Sequence, residues 1–410
     1  MFQESASPRL PASFNRLAWS NLAAQSAEQI GLAAAPIVAV LALGAGAGAT
    51  GLLQTAQTLP FLLLSIPAGV LADRASRRRL MAGAEALRAL SLAGVLTLAH
   101  LNLLTLPLLA LLGFIGACGT VAYSVASPAL VPALVPAGAL AAANGRIELA
   151  RTVAFAGGPA LAGALVGWTG GAPAFGVAAG LSAAAVVLLA GVREPARPLI
   201  AGRRVLHDLR DGARFVFGHP LLRPVFLTQL VFNTAFFMLQ AVYVPYAVHH
   251  LGLSAFGVGA TLATYGVGMV VGALLTPRII RALPFGVVVV LGPIAGLAAA
   301  AVMVLTIWIP VGALAGVSFF LIGTGPIVWV ISTATLRQTV TPRDLLGRAS
   351  AINITAYGAR PVGAALGALL GVVSGAETCL VVAAAGFLVQ ALVILASPVR
   401  RLERQPAMVG

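Results

Sequence analysis

Charge is the scarcest feature of this sequence of 410 residues. Only 9% of its residues are Asp, Glu, Lys or Arg, whereas soluble globular proteins carry about 25%. The 25 basic residues are all arginine, lysine is absent, and only 11 residues are acidic. Hydrophobic residues make up 60% of the chain, and its mean hydropathy is +1.00. This composition excludes a soluble domain and is typical of a protein embedded in lipid.

Several chemistries are excluded by what the chain lacks. The two cysteines, Cys118 and Cys379, lie in apolar segments without the spacing of a metal site. No Walker sequence is present, and the glycine run GAGAGATG at 44–51 lacks the strand and lysine context of a nucleotide-binding loop. The arginines lie in short loops between apolar runs, which argues against a nucleic-acid partner. We therefore expect no metal, no cofactor and no enzymatic activity.

Long apolar runs fill most of the chain. A helix needs about 20 apolar residues to cross the hydrocarbon core of a membrane. Twelve such runs are present, at 17–43, 48–71, 80–99, 104–126, 145–168, 173–192, 223–247, 255–276, 285–308, 311–334, 349–372 and 378–397. None shows the alternating polarity of a barrel strand, so the sequence predicts an all-α membrane protein with twelve transmembrane helices.

The arginines are distributed unevenly among the connections. They cluster in alternate connections, and the connections between these, such as LAHLN and WTGGAPA, carry none. Positively charged loops stay on the cytoplasmic side, so both termini are predicted to be cytoplasmic.

One connection is much longer than the others. Residues 193–219 are polar, and in their second half Val205, Leu209, Ala213 and Val216 share one side. We expect an amphipathic helix lying on the inner membrane face. The predicted organisation is a six-helix bundle over 1–192, a cytoplasmic linker over 193–219 and a second six-helix bundle over 220–410.

The two halves are related in sequence. PALVPALVPAGALAAANGR, before the fifth span, parallels ATLRQTVTPRDLLGRASAIN, before the eleventh, and GGPALAGALVG parallels ARPVGAALGALLG. Two related six-span halves are typical of a secondary transporter.

The segment GVLADRASRRRL, at 69–80, ends the second span with a glycine, an acid and an arginine cluster. It resembles the loop between helices two and three of the major facilitator superfamily, and AEALRAL follows where that superfamily often has an acid and an arginine. LHDLRDGARFVFGHPLLRPVF, at 206–226, resembles the central linker of its bacterial branch of drug, macrolide and siderophore exporters. The resemblance covers nearly the whole chain and implies a twelve-helix fold of two pseudo-symmetric bundles.

The resemblance also implies a cytoplasmic gate, in which Asp73 meets the start of helix eleven near Arg348. The residues on its pattern are Gly69, Asp73, Arg74, Arg77, Arg78, Glu85, Arg88 and Arg348. The glycine would allow close helix packing at the gate. The alternative for the arginines is that they only hold their loop in the cytoplasm.

GGPALAG, at 157–163, is similar to the antiporter motif in the fifth helix of the same superfamily. Gly157, Gly158, Pro159 and Gly163 lie on its pattern, and Ala162 replaces one glycine. Generic close packing of helices and a specific hinge are equally good interpretations. The sequence departs from the drug antiporters in its fourth span, which carries no arginine.

Ionisable residues within a span are costly and point to function. Glu28 lies in the first span, and Asn21, Gln25 and Gln29 follow helical spacing around it, which predicts one polar stripe. A matching stripe on the seventh span would face it across a central cavity. Glu28 would exchange protons with water there; the alternative is a paired structural acid. The residues predicted to line the cavity are Asn21, Gln25, Tyr123, Gln229, Asn233, Phe236, Phe237, Gln240, Trp329 and Arg360.

Two further sites carry charge. Arg360 lies near the middle of the eleventh span, where structural pairing and substrate contact are both open alternatives. Glu148 and Arg151 are three residues apart on the fifth span and can pair with each other. Alternatively, Arg151 is the cation that Glu28 lacks from the fourth span.

These features predict a secondary transporter of the bacterial cytoplasmic membrane. We expect a monomer that exports an amphipathic small molecule in exchange for protons, with membrane lipid around it. The alternatives are an importer, an uncoupled facilitator of a small metabolite and a lipid-handling protein on the same scaffold.

Overall fold

The structure is a computed structural model that describes residues 11–136, 139–195, 205–342 and 345–406. Within these ranges, the side chains of residues 73, 141, 205, 206 and 208 are not described. The predicted gate role of the Asp73 carboxylate therefore lies outside the described residues.

All regular secondary structure in the described ranges is helical. The helices are α1 Ala12–Leu41, α2 Ala47–Arg74, α3 Arg77–His100, α4 Leu106–Leu134, α5 Leu140–Thr169, α6 Gly171–Ala190, α7 Val205–Gly218, α8 Leu222–His249, α9 Ala255–Ala282, α10 Phe285–Leu305, α11 Gly312–Val340, α12 Leu346–Thr355, α13 Ala359–Val373 and α14 Gly375–Leu395. Twelve segments of the described chain are long and apolar enough to span a membrane, which confirms the prediction.

The eleventh span is interrupted by a short irregularity. A 3₁₀ turn over Ala356–Gly358 joins α12 to α13, and the three together cover Leu346–Val373. Pro361 follows the turn and has no N–H to give to the carbonyl of Tyr357, so the regular α-helical hydrogen bonding cannot continue there. The turn lies directly before Arg360.

Several helices extend beyond the predicted apolar runs. α4 continues to Leu134 and α11 to Val340, whereas their runs were predicted to end at 126 and 334. The predicted ends were wrong because hydropathy marks only the apolar part of a helix. The backbone hydrogen bonding of α11 continues into the more polar TLRQTV, and that of α4 continues through SPALVPAL, whose two prolines do not end the helix.

The helices form two bundles with the same internal pairings. In the first, α1 packs against α5 and α6, α2 against α4, and α3 against α4 and α6. In the second, α8 packs against α13 and α14, α9 against α11, and α10 against α11 and α14. Each pairing in one bundle has its counterpart at the same position in the other, as expected for related halves.

The bundles meet through α5 with α9 and α2 with α13. The contacts are closest at the end whose connections carry no arginine, here called the arginine-free end. A Cβ added to Gly51 would lie 2.5 Å from Ala368 Cα, and one added to Gly163 would lie 2.8 Å from Gly259 Cα.

At the opposite end, which carries Arg74, Arg77 and Arg337 and is here called the arginine-rich end, the bundles separate. A Cβ added to Gly69, Gly145 or Gly347 would meet nothing within 4 Å. The structure is therefore closed at the arginine-free end and open at the arginine-rich end.

The helix α7 is amphipathic, as its sequence predicts, but its apolar side faces protein. Val216 lies in an apolar cluster with Phe226 and Phe285, and Leu209 packs against this cluster. α7 also packs along α12. The end of the second bundle thus covers this apolar side, and the position of α7 at the inner membrane face stays a prediction.

Candidate functional site

A buried cluster of charges lies inside the first bundle. Arg88 in α3 donates to Glu85 Oε1 at 2.6 Å, and its Nη2 lies 3.5 Å from Glu28 Oε2 in α1. Arg88 also donates to the Ala24 carbonyl at 3.2 Å and to Thr120 Oγ1 at 2.7 Å. The side chains of Arg88 and Glu85 are 4% and 0% exposed, whereas Glu28 is 17% exposed. Arg88 is thus the cation that neutralises Glu28.

The cluster contains two carboxyl groups and one guanidinium. Glu85 Oε2 is buried and has no hydrogen-bond partner among the described residues. Glu28 borders a cavity with about 490 Å³ of space between protein atoms, including its open side. An unpaired negative charge is costly away from water, and a proton on either carboxyl group makes the cluster neutral. The cluster therefore contains one acid more than it contains bases.

The structure places Glu85 and Arg88 away from the gate that the resemblance implies for them. α3 begins at Arg77, so Glu85 lies 85 − 77 = 8 residues inside the helix and Arg88 lies 88 − 77 = 11. At 1.5 Å per residue these positions are about 12 and 17 Å along the helix. The signal available in the sequence was a pair of ionisable residues three apart within a predicted span.

The predicted polar stripe on α1 does not line one cavity. Asn21 is 3% exposed and donates to Ser127 Oγ in α4 at 3.0 Å. Tyr123, also in α4, is 2% exposed inside the apolar core, and Gln29 packs against Gly158 in α5. Gln25 is half-buried. The prediction was wrong for Asn21 and Tyr123 because α4, α5 and α6 surround α1, so its polar residues face different helices.

A second cavity lies within the other bundle. It holds about 870 Å³ of space between protein atoms, including its open side, and extends to α5 of the first bundle. The predicted residues Gln229, Asn233, Trp329 and Arg360 all line it. Three further polar residues lie in its wall and were not predicted from the sequence. They are Thr228, Tyr265 and Gln390. Gln390 could have been found as an amide in an otherwise apolar span.

Arg360 is half-buried and has few polar partners. Its Nε donates to Asn233 Oδ1 at 3.3 Å. Its guanidinium carbon lies 4.2 Å from the ring centre of Tyr357, 5.0 Å from that of Phe61 and 5.2 Å from that of Phe237. None of the ion pairs formed by the described residues includes Arg360. Aromatic faces stabilise this cation in place of a carboxylate.

The remaining predicted residues of α8 lie close to this cavity. Phe237 contacts Arg360, as described above. Phe236 is 8% exposed and stacks on Phe232 and Tyr265, so it supports the wall from behind. Gln240 is half-buried further along the helix.

Glu148 and Arg151 form the local ion pair predicted for them. Arg151 Nη1 lies 3.4 Å from Glu148 Oε1, and the side chains are 45% and 52% exposed. Arg151 also contacts the Phe155 ring and borders the second cavity. The alternative that Arg151 neutralises Glu28 is not what the structure shows, because Arg88 occupies that position.

Glu194, which was not predicted from the sequence, holds the loop before α3 in place. Ser76 Oγ donates to Glu194 at 2.6 Å, and the backbone N–H groups of Arg77 and Arg78 each donate to Glu194 at 3.1 Å. A carboxylate at the start of a helix satisfies free N–H groups there. Arg78 Nη1 donates to the Ala190 carbonyl at 3.0 Å, and Arg77 donates to that of Ala129.

The other predicted gate residues are apart in this conformation. A Cβ on Gly69 would meet nothing, so the expected close packing at this glycine is absent, and Arg74 is exposed. Arg348 Nη1 donates to Asp211 Oδ2 of α7 at 3.0 Å. The physical reason is the separation of the bundles at the arginine-rich end.

The glycine motif of α5 faces two directions. Gly158 packs against Gln29 of α1, and Gly163 packs against the Ala255 carbonyl and Gly259 of α9 in the other bundle. Gly157 faces open space. Pro159 lies inside the helix, where its carbonyl approaches Gly259. The motif therefore contributes to the closed contact between the bundles.

Two six-helix bundles with matching pairings, buried charges and a cavity define a membrane transporter of the major facilitator type. The sequence profile of the family described as "Transmembrane secretion effector" matches residues 13–408. The chain belongs to this family, and it is a multi-pass protein of the bacterial inner membrane.

Named relatives and solved structures agree with this assignment. The chain is 28% identical over 283 residues to the multidrug efflux pump Tap of Mycobacterium tuberculosis, a match that covers 63% of this chain and 65% of that pump. It is 30% identical over 335 residues to an uncharacterised MFS-type transporter of Sinorhizobium fredii, covering 77% of this chain and 78% of that protein.

Among solved structures, a bacterial homologue of the iron transporter ferroportin in an inward-facing state has a TM-score of 0.74 and 15% identity, covering 94% of this chain and 98% of that one. A bacterial homologue of the lysosomal transporter Spinster has a TM-score of 0.69 and 17% identity, covering 98% and 99%. These likenesses concern the fold.

Proposed function

We propose that this transporter exports amphipathic small molecules in exchange for protons and that Glu28 carries the exchanged proton. The observation that carries the proposal is the cluster in which Glu28 and Glu85 share the single guanidinium of Arg88. Glu28 borders a cavity whereas Glu85 does not, so we assign the exchanged proton to Glu28. The similarity to a multidrug efflux pump supports the outward direction of transport.

Protonation of Glu28 removes one of the two negative charges that hold Arg88 in place. Arg88 then interacts with Glu85 alone, and the position of α3 relative to α1 is less constrained. Loss of the proton restores the ion pair. In this mechanism the proton changes the packing within the first bundle, and the bundle moves as a unit against its partner.

Alternating access would use the two ends described above. We place the arginine-rich end in the cytoplasm by the positive-inside rule, so the conformation is open to the cytoplasm. Opening to the outside requires separation at the glycine contacts of α5 with α9 and α2 with α13. Asp73 and Arg348 would then come together at the cytoplasmic end, and Arg348 would leave Asp211.

The closest alternative is an importer or facilitator that uses no proton. In such a protein Glu28 would be a structural acid, held by its ion pair with Arg88. A lipid-handling protein would use the same scaffold and take its substrate from the membrane. We propose that the transporter acts as a monomer surrounded by lipid, because each chain holds both bundles.

Transport in proteoliposomes with an imposed pH gradient tests the proton role. For wild type we expect the drug to accumulate against its own gradient when the compartment that receives the drug is the acidic one. Glu28→Gln should reduce this to the rate seen without a pH gradient. Glu148→Gln is the matched control, because it removes an exposed acid of the neighbouring span and should leave coupling intact. Full gradient-driven transport by Glu28→Gln would show that the proton binds elsewhere.

A further inference from the structure

The cavity of the second bundle contains hydrogen-bond donors that the protein does not satisfy. Gln390 Nε2 and Thr228 Oγ1 are buried and have no partner among the described residues, and both residues line this cavity. Each residue is 1% exposed. A buried donor without a partner is unfavourable, so these groups favour an acceptor from outside the protein.

Arg360 adds the strongest donor to the same cavity. Guanidinium has five N–H donors, and the protein acceptor described for it is Asn233 Oδ1. Its other described neighbours are the rings of Phe61, Phe237 and Tyr357, which hold the charge but accept no conventional hydrogen bond. The N–H fork of arginine suits two oxygen atoms of one group.

The charges around the cavity favour an acceptor over a cation. Glu28 is already 3.5 Å from Arg88, and Arg151 and Arg360 both border the cavity. No Asp or Glu is among the described residues of its wall. A cationic group would therefore enter beside two guanidinium groups, of which Arg151 is paired with Glu148 and Arg360 with no carboxylate among the described residues.

The wall also offers flat apolar surface. Tyr265 and Trp329 come from the neighbouring helices α9 and α11, and Tyr357 lies in the 3₁₀ turn beside Arg360. Aromatic side chains stabilise planar groups by stacking and by burial of apolar area. The cavity thus combines an apolar region with hydrogen-bond donors that can bind oxygen atoms.

We propose that this cavity is a binding subsite for the oxygen-bearing end, a carboxylate or carbonyl group, of an aromatic amphipathic substrate. Arg360 receives the oxygen atoms, Gln390 and Thr228 donate to them, and the aromatic residues hold the apolar part. The proposal rests on the transport function proposed above and gives the chemical class of the transported molecule.

Binding to the purified full-length protein tests the subsite without any ion gradient. Trp329 lies in the cavity wall, and the other three tryptophans, Trp19, Trp168 and Trp308, are exposed. Replacing those three by Phe leaves Trp329 fluorescence as a local reporter of binding. The probes are 4-phenylbutyrate, 4-phenylbutyramide and 4-phenylbutylammonium, which share one skeleton and differ in the end group.

We expect affinity in the order carboxylate, amide, ammonium. Arg360→Gln should weaken carboxylate binding by at least about tenfold, the loss of one charge-assisted hydrogen bond. Gln390→Leu should weaken it less and keep the order. Arg281→Gln, an exposed arginine on α9, is the control for net charge and should leave the affinities unchanged.

Equal binding of the ammonium probe, or unchanged carboxylate binding in a folded Arg360→Gln protein, would overturn the proposal. Folding is checked by size-exclusion profile and melting temperature, and Gln390→Leu gives a second variant that changes no charge. Binding by Glu28→Gln separates this proposal from proton coupling. A protein that binds the probes in the expected order but transports without a proton contradicts only the coupling.

Discussion

The two bundles have the same helix pairings, but their arginines have different partners. In the first bundle, Arg88 donates to three oxygen atoms, one of them a carboxylate oxygen, and forms an ion pair with a second carboxylate at 3.5 Å. In the second, Arg360 has one amide oxygen and three aromatic rings. Arg88 thus has two carboxylate partners, whereas Arg360 has none among the described residues.

This difference indicates that the two related halves have different roles. A guanidinium already held by two acids responds to whether those acids carry protons, which suits the proposed proton site. A guanidinium held by rings keeps its hydrogen-bonding capacity for a ligand, which suits the proposed subsite. The common fold places both side chains inside bundles, and the neighbours decide what each can do.

The largest expected effect is the difference in stability between a protein that lacks Arg88 and one that lacks Arg360. Arg88→Met leaves Glu85 buried without its cation, and loss of one partner of a buried pair costs about 3–5 kcal/mol. Arg360→Met leaves no carboxylate unpaired, so we expect a much smaller loss of stability. Melting temperatures of the two variants in the same detergent measure the contrast.

Glu85→Leu combined with Arg88→Met is the control, because it removes the unpaired charge and should recover part of the lost stability. Equal melting temperatures for the two single variants would mean that the two arginines are equivalent in the folded protein.

The next effect concerns the two ends of the contact between bundles. Gly163→Leu would clash with Ala255 and Gly259 of α9, and overpacking costs about 1–3 kcal/mol. This penalty applies only when the arginine-free end is closed, so the variant should favour the conformation in which that end is open. Gly157→Leu is the matched control, because a side chain there meets open space.

Spin labels at positions 103 and 309, in a background without Cys118 and Cys379, report the separation of the bundles at this end. Leu103 and Ile309 are exposed in the connections after α3 and α10. We expect longer distances for Gly163→Leu than for wild type and Gly157→Leu. An unchanged distance distribution for Gly163→Leu would contradict the assigned interface.

A smaller effect compares how the linker region holds each bundle. Glu194 accepts three hydrogen bonds at the start of α3, whereas Asp211 Oδ2 contacts the partly exposed Arg348 at 3.0 Å and the exposed His207 at 3.1 Å. Loss of a helix cap costs about 0.5–2 kcal/mol, and a partly exposed ion pair contributes about 0–1 kcal/mol. Glu194→Ala should therefore lower the melting temperature more than Asp211→Ala does. The reverse order would show that the linker is held mainly through α7.

The smallest effect is a pH dependence where α7 meets the second bundle. His219 Nδ1 accepts a hydrogen bond from the Leu221 N–H at 3.2 Å, and burial lowers the pKa of His219. The folded protein therefore keeps this ring neutral, while the unfolded chain takes up the proton first as the pH falls. The stability contribution is present above about pH 6.5 and is lost below it.

His219→Asn keeps a side-chain acceptor for the Leu221 N–H and removes the titration. The melting temperature of this variant should fall less between pH 7 and pH 5 than that of wild type. A parallel fall in both proteins would assign the pH dependence to other groups.

Some of these features were accessible from the sequence. The twelve spans and the amphipathic character of α7 follow from local periodicity, and Arg360 was recognisable as a charge in an apolar run. The pairing of Glu148 with Arg151 follows from their spacing on one helix. Each of these depends on residues within a few turns of one another.

Other features were not accessible. Asn21 and Glu28 lie on one helix at helical spacing, yet one faces Ser127 and the other faces Arg88, because neighbouring helices surround α1. Gln390 and Thr228 are separated by more than 150 positions and border the same cavity. Spacing along a helix gives no information about which partner covers each side.

The sequence by itself determined that this chain crosses the membrane twelve times in two related halves, because hydropathy and arginine placement act locally on each segment. Only the tertiary structure decided that Arg88 neutralises Glu28, that Arg360 lies among aromatic rings and that the arginine-free end is closed. These outcomes depend on packing between helices that are distant in the chain, where contact distances of a few ångströms determine which charges meet.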